Sequence, residues 1–130
     1  MLSIEEYKDK IYINLENGVY IFDDESATGK SRLCSLMKEY RGNGRLDIFG
    51  YTYIDRYDIS FEQVFNKGKT KVVLLDRYDM YLGEAAEWIS KYKNDMVILI
   101  DCKGEFKDID VEDWDYCYIK MTVNSIEVSN

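Results

Sequence analysis

The stretch Ser26-Ala27-Thr28-Gly29-Lys30-Ser31 decides how this chain is read. Before it runs Val19-Tyr20-Ile21-Phe22, a β-branched and aromatic run of the kind that forms a strand. After it, from about Arg32, apolar residues recur at helical spacing: Leu33, Leu36, Met37 and Tyr40. Strand, loop of small residues, helix is the context that a phosphate-binding turn requires. Backbone N–H groups of Ser26, Ala27, Thr28 and Gly29 would face a β-phosphate, and Lys30 would reach the β- and γ-phosphates. Ser31 would offer its hydroxyl to Mg²⁺.

The full phosphate-loop pattern is G-x-x-x-x-G-K-[ST]. Gly29, Lys30 and Ser31 match its end, and Asp24 stands where its first glycine falls. Aspartate adopts left-handed backbone more readily than most residues, so the turn tolerates the exchange. The charge is harder to accommodate, because Asp23, Asp24 and Glu25 put an acidic run where a triphosphate would lie. At about 4 Å and an effective dielectric of about 20, each like-charge pair costs on the order of 4 kcal/mol. Nucleotide binding is therefore expected to be weakened unless these carboxylates point away or hold a cation.

A second element follows downstream. Val72-Val73-Leu74-Leu75-Asp76 is an apolar run, read as a strand buried on both faces, that ends in a carboxylate able to support Mg²⁺. Met96 to Ile100 repeats the theme and ends in Asp101, read here as a strand-end turn residue rather than a phosphate sensor. Residues 10–15 and 19–22 flank Glu16-Asn17-Gly18, and Asn-Gly predicts a hairpin turn between them. Gly42-Asn43-Gly44 stops the first helix, and residues 46–54 alternate as a strand. Ser60 caps a short helix through Phe65. Residues 83–93 form a helix with Ala85, Ala86, Trp88, Ile89 and Tyr92 inward. Residues 103–115 read as an acidic surface connection, and 116–128 as one longer or two short terminal strands, the latter as a hairpin about Asn124-Ser125. The expected fold is an α/β three-layer sandwich over residues 1–130, a single domain with a largely parallel central sheet, an N-terminal β-hairpin and C-terminal strands.

Taken together, the Gly29-Lys30-Ser31 turn, the Val72 to Asp76 strand and the order of elements resemble a minimal, degenerate P-loop nucleoside-triphosphatase domain, over roughly residues 10–102. The resemblance implies that Lys30 is the phosphate lysine and that Ser31 and Asp76 hold the metal. The implied cofactor is Mg²⁺ with ATP or GTP. Many such ATPases carry a glutamate directly after the Walker B aspartate to activate water; here Arg77 occupies that place, which makes turnover weak or dependent on a partner. Asp76-Arg77-Tyr78 is also similar to a motif of thymidylate kinases, but no arginine-rich lid segment accompanies it.

Composition narrows the alternatives. With no histidine, His-dependent triads and histidine zinc sites are excluded. Cys34, Cys102 and Cys117 are odd in number and widely spaced, so they read as free thiols of a cytoplasmic protein. No apolar run is long enough to span a bilayer. A net charge of −8 argues against direct binding to nucleic acid or an anionic membrane, and permits a basic protein partner. That leaves a second class open: a non-enzymatic acidic interaction or inhibitor protein, such as a phage or mobile-element anti-defence protein, that presents Asp23 to Glu25, Asp55, Asp58 and the acids of 105–115 to a basic macromolecule. Trp114, between two aspartates, is read as a satellite packing residue ahead of a contact residue.

Overall fold

Runs of apolar residues without polar alternates are the strands that a sheet buries on both faces, and here they form its centre. The computed structural model describes residues 2–6, 9–22, 28–66, 68–80, 82–102 and 114–130. Its strands are β1 (Leu2–Glu6), β2 (Asp9–Asn14), β3 (Gly18–Phe22), β4 (Ile48–Tyr51), β5 (Val72–Leu75), β6 (Val97–Ile100), β7 (Asp115–Met121) and β8 (Ser125–Ser129). Its helices are α1 (Thr28–Gly42), α2 (Phe61–Val64) and α3 (Leu82–Tyr92). The strands make one eight-stranded sheet in the order β1-β2-β8-β7-β3-β6-β5-β4. The five strands from β7 to β4 run parallel. Beyond them β8 is antiparallel to β7, β2 is parallel to β8, and β1 is antiparallel to β2.

The handedness of parallel crossovers explains where the helices lie. After β3 the chain passes through α1 and lands at the far edge, β4. It then steps back through β5 to β6. Right-handed connections running in opposite directions put their helices on opposite faces of a sheet. Leu33, Leu36, Met37 and Tyr40 of α1 accordingly pack on one face, with Tyr20, Phe22, Leu74 and Leu99. Val64 of α2 and Ala85 and Ile89 of α3 pack on the other, with Val73, Leu75 and Ile98. The expected α/β architecture with a largely parallel sheet is thus observed. Trp88 and Tyr92 extend the second core as stacked rings 6.2 Å apart, whereas Ala86, expected inward, is exposed.

The Asn-Gly hairpin between 10–15 and 19–22 does not form. β2 pairs with β1 and β8, and β3 pairs with β6 and β7. The reason lies in β3 itself: Val19, Tyr20, Ile21 and Phe22 are all buried, a requirement that a strand between two parallel neighbours meets. The Gly18 amide bonds Met96 O at 3.0 Å, and the Tyr20 hydroxyl bonds Glu16 O at 2.8 Å, so residues 16–18 steer β3 toward β6. The N-terminal hairpin is instead β1 with β2. The strand expected over 46–54 is confined to β4, because Thr52 and Asp55 turn the chain into a tight helical turn, Tyr53–Tyr57. Of the two options for the terminal strands the hairpin forms, β7 with β8, with Thr122 N on Ser125 O at 2.9 Å. Ser60 caps α2 as expected, its backbone N–H answered by Gln63 at 2.9 Å.

Two glycines let α1 lie close to the sheet. A Cβ on Gly50 of β4 would sit 2.8 Å from the carbonyl oxygen of Cys34, and one on Gly29 would sit 2.6 Å from Ile119 Cγ2. Both distances are shorter than side chains accept. Gly50→Ala must push back a helix backbone rather than a side-chain tip. We expect it to cost about 1–3 kcal/mol, read as a lower urea midpoint at unchanged slope.

Candidate functional site

In open α/β sheets ligands bind beyond the carboxyl ends of the strands, where neighbouring connections leave in opposite directions. Here that point lies between β3 and β6. The chain leaves β3 toward β4, whereas it leaves β6 toward β7, on the other side of β3. The residues that follow these two strands are therefore the ones to inspect.

Lys30 lies in the first turn of α1, and Asp101 follows β6 directly. Their side chains meet, with Lys30 Nζ 3.2 Å from Asp101 Oδ1. Lys30 is 7% exposed and Asp101 4%. The contact is an ion pair without hydrogen-bond alignment: no donor among the described residues hydrogen-bonds Asp101 Oδ1. The backbone of Asp101 is fixed on both sides, since its N–H donates to Leu75 O at 3.0 Å and its carbonyl accepts from Tyr78 N at 2.8 Å. Asp101 thus stands at the strand end as expected and is also a buried partner of Lys30.

The start of α1 is electropositive for two reasons. The helix dipole concentrates positive potential there, and Lys30 adds a full charge. The first turn contains no acidic residue. A lysine at a helix N-terminus is unfavourable by roughly 0.3–1 kcal/mol unless an anion answers it. In this structure Asp101 supplies that anion.

Asp76 directly follows β5, the strand beside β6, and is half-buried, with its N–H on Tyr51 O at 2.8 Å. Arg77 after it has φ 52°, a left-handed conformation that costs a non-glycine residue about 1 kcal/mol. This strained turn sits at the sheet's C-terminal edge, where such strain concentrates. Ser31 is exposed in the first turn of α1. Gly29 is buried against Ile119 and belongs to α1. Thr28 opens α1. Ser26, Ala27 and the acidic run Asp23 to Glu25 lie outside the described residues, as do the acids of 105–113.

A network that pattern reading missed borders the site. Lys38, two turns after Lys30, reaches across to the turn after β4. Its Nζ lies 3.1 Å from Asp55 Oδ2, while Asp55 also accepts from Thr52 N at 2.8 Å. Burial pushes the Asp55 carboxyl up, but the Thr52 amide and the Lys38 ammonium together outweigh it and hold it below the usual carboxylate range. Lys30 and Lys38 are eight residues apart, about 80° around the helix, and that spacing carries no signal of Asp55. Burial pushes the Cys34 thiol up to about 12; Asp76, Asp55 and Asp101 add to this and Lys38 opposes it. Burial likewise pushes Cys117 up to about 12. Trp114 packs edge-on against Tyr78 at 6.1 Å, a satellite of the second core.

No family model, curated protein or solved structure matches this chain. Among the described residues no helix is long and apolar enough to cross a membrane.

Two predictions follow from the burial. Lys30→Met or Asp101→Leu alone strands a buried charge and should cost about 3–5 kcal/mol, while the double variant should cost less than either; urea unfolding of the four proteins decides it. At pH 8 iodoacetamide should alkylate Cys102, which is only half-buried, well before Cys34 and Cys117; peptide mapping over time would show the order.

Proposed function

We propose that this protein binds a nucleoside triphosphate, ATP or GTP, with Mg²⁺ at the C-terminal edge of its parallel sheet, as a small P-loop-like domain. The observation that carries this reading is the position of Lys30: the first turn of the helix after the central strand, at the switch point between β3 and β6. The strand order supports it further. β6 lies between the loop strand β3 and the Asp76 strand β5, the arrangement of one of the two great branches of P-loop proteins.

In this reading Lys30 and the amides opening α1 hold the phosphates. Mg²⁺ keeps most of its waters and needs only one or two protein oxygens beside the phosphates, a role that Ser31 and Asp76 fill. When bound, the metal would neutralise charge between the phosphates. Turnover is expected to be weak or dependent on a partner, because Arg77 stands where a water-activating carboxylate would follow Asp76.

A second reading has one observation in its favour. Lys30 is already neutralised by Asp101 without any ligand, as it would be in a protein that keeps the shape and acts by presenting acidic side chains to a basic macromolecule.

Calorimetric titration of Mg-ATP and Mg-GTP into the wild type and Lys30→Ala separates the two. Micromolar binding that the variant loses is the expected result. Absence of binding to the wild type, together with salt-sensitive co-elution with a basic protein, would instead favour the interaction protein.

A further inference from the structure

The turn that follows β4 and the starts of α2 and α3 leave an open cleft of about 310 Å³ beyond the carboxyl end of β4. That is the end of the sheet at which open α/β folds hold ligands, and the volume lies at the small end of the range of ligand pockets, about 300–1,000 Å³. Its apolar part is made of three rings. Tyr51, the last residue of β4, is buried, and Phe61 and Trp88 are half-buried. Phe61 lies 5.3 Å from Tyr51 and 6.4 Å from Trp88, tilted 41° to each, so the rings meet at angles instead of closing on one another as a stack. Exposed charged side chains of both signs line the same cleft: Arg56 from the turn after β4, Glu62 from α2 and Glu84 from the first turn of α3. Arg56 is oriented by its neighbour, with Nη2 donating to the Tyr57 hydroxyl at 3.1 Å. Among the described residues no salt bridge joins it to Glu62 or Glu84. Charge of both signs reaches the Tyr51 hydroxyl: burial pushes it up, Glu84 and Asp55 add to that, and Arg56 opposes them.

We propose that this cleft binds a free α-amino acid with an aromatic or other apolar side chain: its carboxylate on Arg56, its ammonium on Glu84 and Glu62, and its side chain against Tyr51, Phe61 and Trp88. A guanidinium forms paired, charge-assisted hydrogen bonds with a carboxylate. An ammonium answers the two glutamates and also gains from the faces of aromatic rings. A phosphate or other simple anion would meet Glu62 and Glu84 beside Arg56, and a simple cation would meet Arg56. A zwitterion meets an opposite charge at each end, and the three rings cover the apolar group that it carries. This site is separate from the phosphate-site reading at Lys30 and does not depend on it.

Calorimetric titration of L-phenylalanine, L-tyrosine, L-tryptophan and L-leucine into the wild type tests this. N-acetyl-L-phenylalanine, which lacks the ammonium, and L-phenylalanine amide, which lacks the carboxylate, are the comparison ligands. The same titrations are run on Arg56→Gln and on the double variant Glu62→Gln with Glu84→Gln. All three residues are exposed, so these substitutions leave the core intact, and circular dichroism melts establish folding. We expect at least one free amino acid to bind the wild type, and each blocked form of phenylalanine to bind about tenfold more weakly or worse than the free one. Arg56→Gln should weaken the free amino acid by a similar factor and leave the amide unchanged. The double glutamate variant should weaken the free amino acid and leave the N-acetyl form unchanged. That crossed pattern supports the proposal. A wild type that binds none of the four amino acids overturns it. So does equal binding of the free and blocked forms, which would make the cleft a seat for an apolar side chain alone, and so does binding that neither variant weakens, which would place the amino acid elsewhere.

Discussion

Everything in this fold depends on β3 being buried between two parallel neighbours. A strand whose residues Val19 to Phe22 are all inaccessible must sit in the interior of the sheet. β6 and β7 fill its two sides. Parallel neighbours forbid tight turns and force crossovers. The helix after β3 must then leave on one face while α2 and α3 return on the other, and the connections diverge at the carboxyl end of β3. Lys30 stands at that divergence because it lies in the first turn of the outgoing helix. Asp101 stands there because β6 is the strand next door. The candidate site is thus a product of topology before it is a product of chemistry.

Much of this was legible in the sequence. The double-faced strands 72–75 and 97–100 announced themselves as unbroken apolar runs, and the periodicity of Leu33, Leu36, Met37 and Tyr40 announced α1. Lys30, Ser31 and Asp76 could be named because each adjoins such a run. The misreading of residues 10–22 has a physical cause. Asn-Gly is a local signal worth little beside the burial of four apolar side chains, and the long-range pairing of β3 prevailed. β1 was overlooked although Leu2 and Ile4 show a period of two, because so short a run among charged residues carries a weak signal.

The partnership of Lys30 with Asp101 was not legible at all. Seventy-one residues separate them in sequence, and only the return of the chain through β4 and β5 brings β6 beside β3. The same holds for Lys38 and Asp55. Ion pairs between elements report topology, and a linear pattern holds no record of which strand ends become neighbours.

The outer strands carry a consequence for synthesis. Lys10 lies opposite Ser125, and Asn14 opposite Ser129. β2 can therefore find its parallel partner only after almost all of the described chain has been made. A nascent chain leaving the ribosome would have β3 to β6 and their helices available for packing while β1 and β2 still offered a bare hairpin edge. Long-range pairing of this kind slows folding and leaves strand edges open to wrong partners. Of the C-terminal strands, β7 flanks β3 and β8 bridges β7 to β2, and β7 also presses Ile119 on Gly29. β7 and β8 would thus complete the sheet and seat the start of α1 in the same event, so that the candidate site would acquire its final shape only once these two strands have been made.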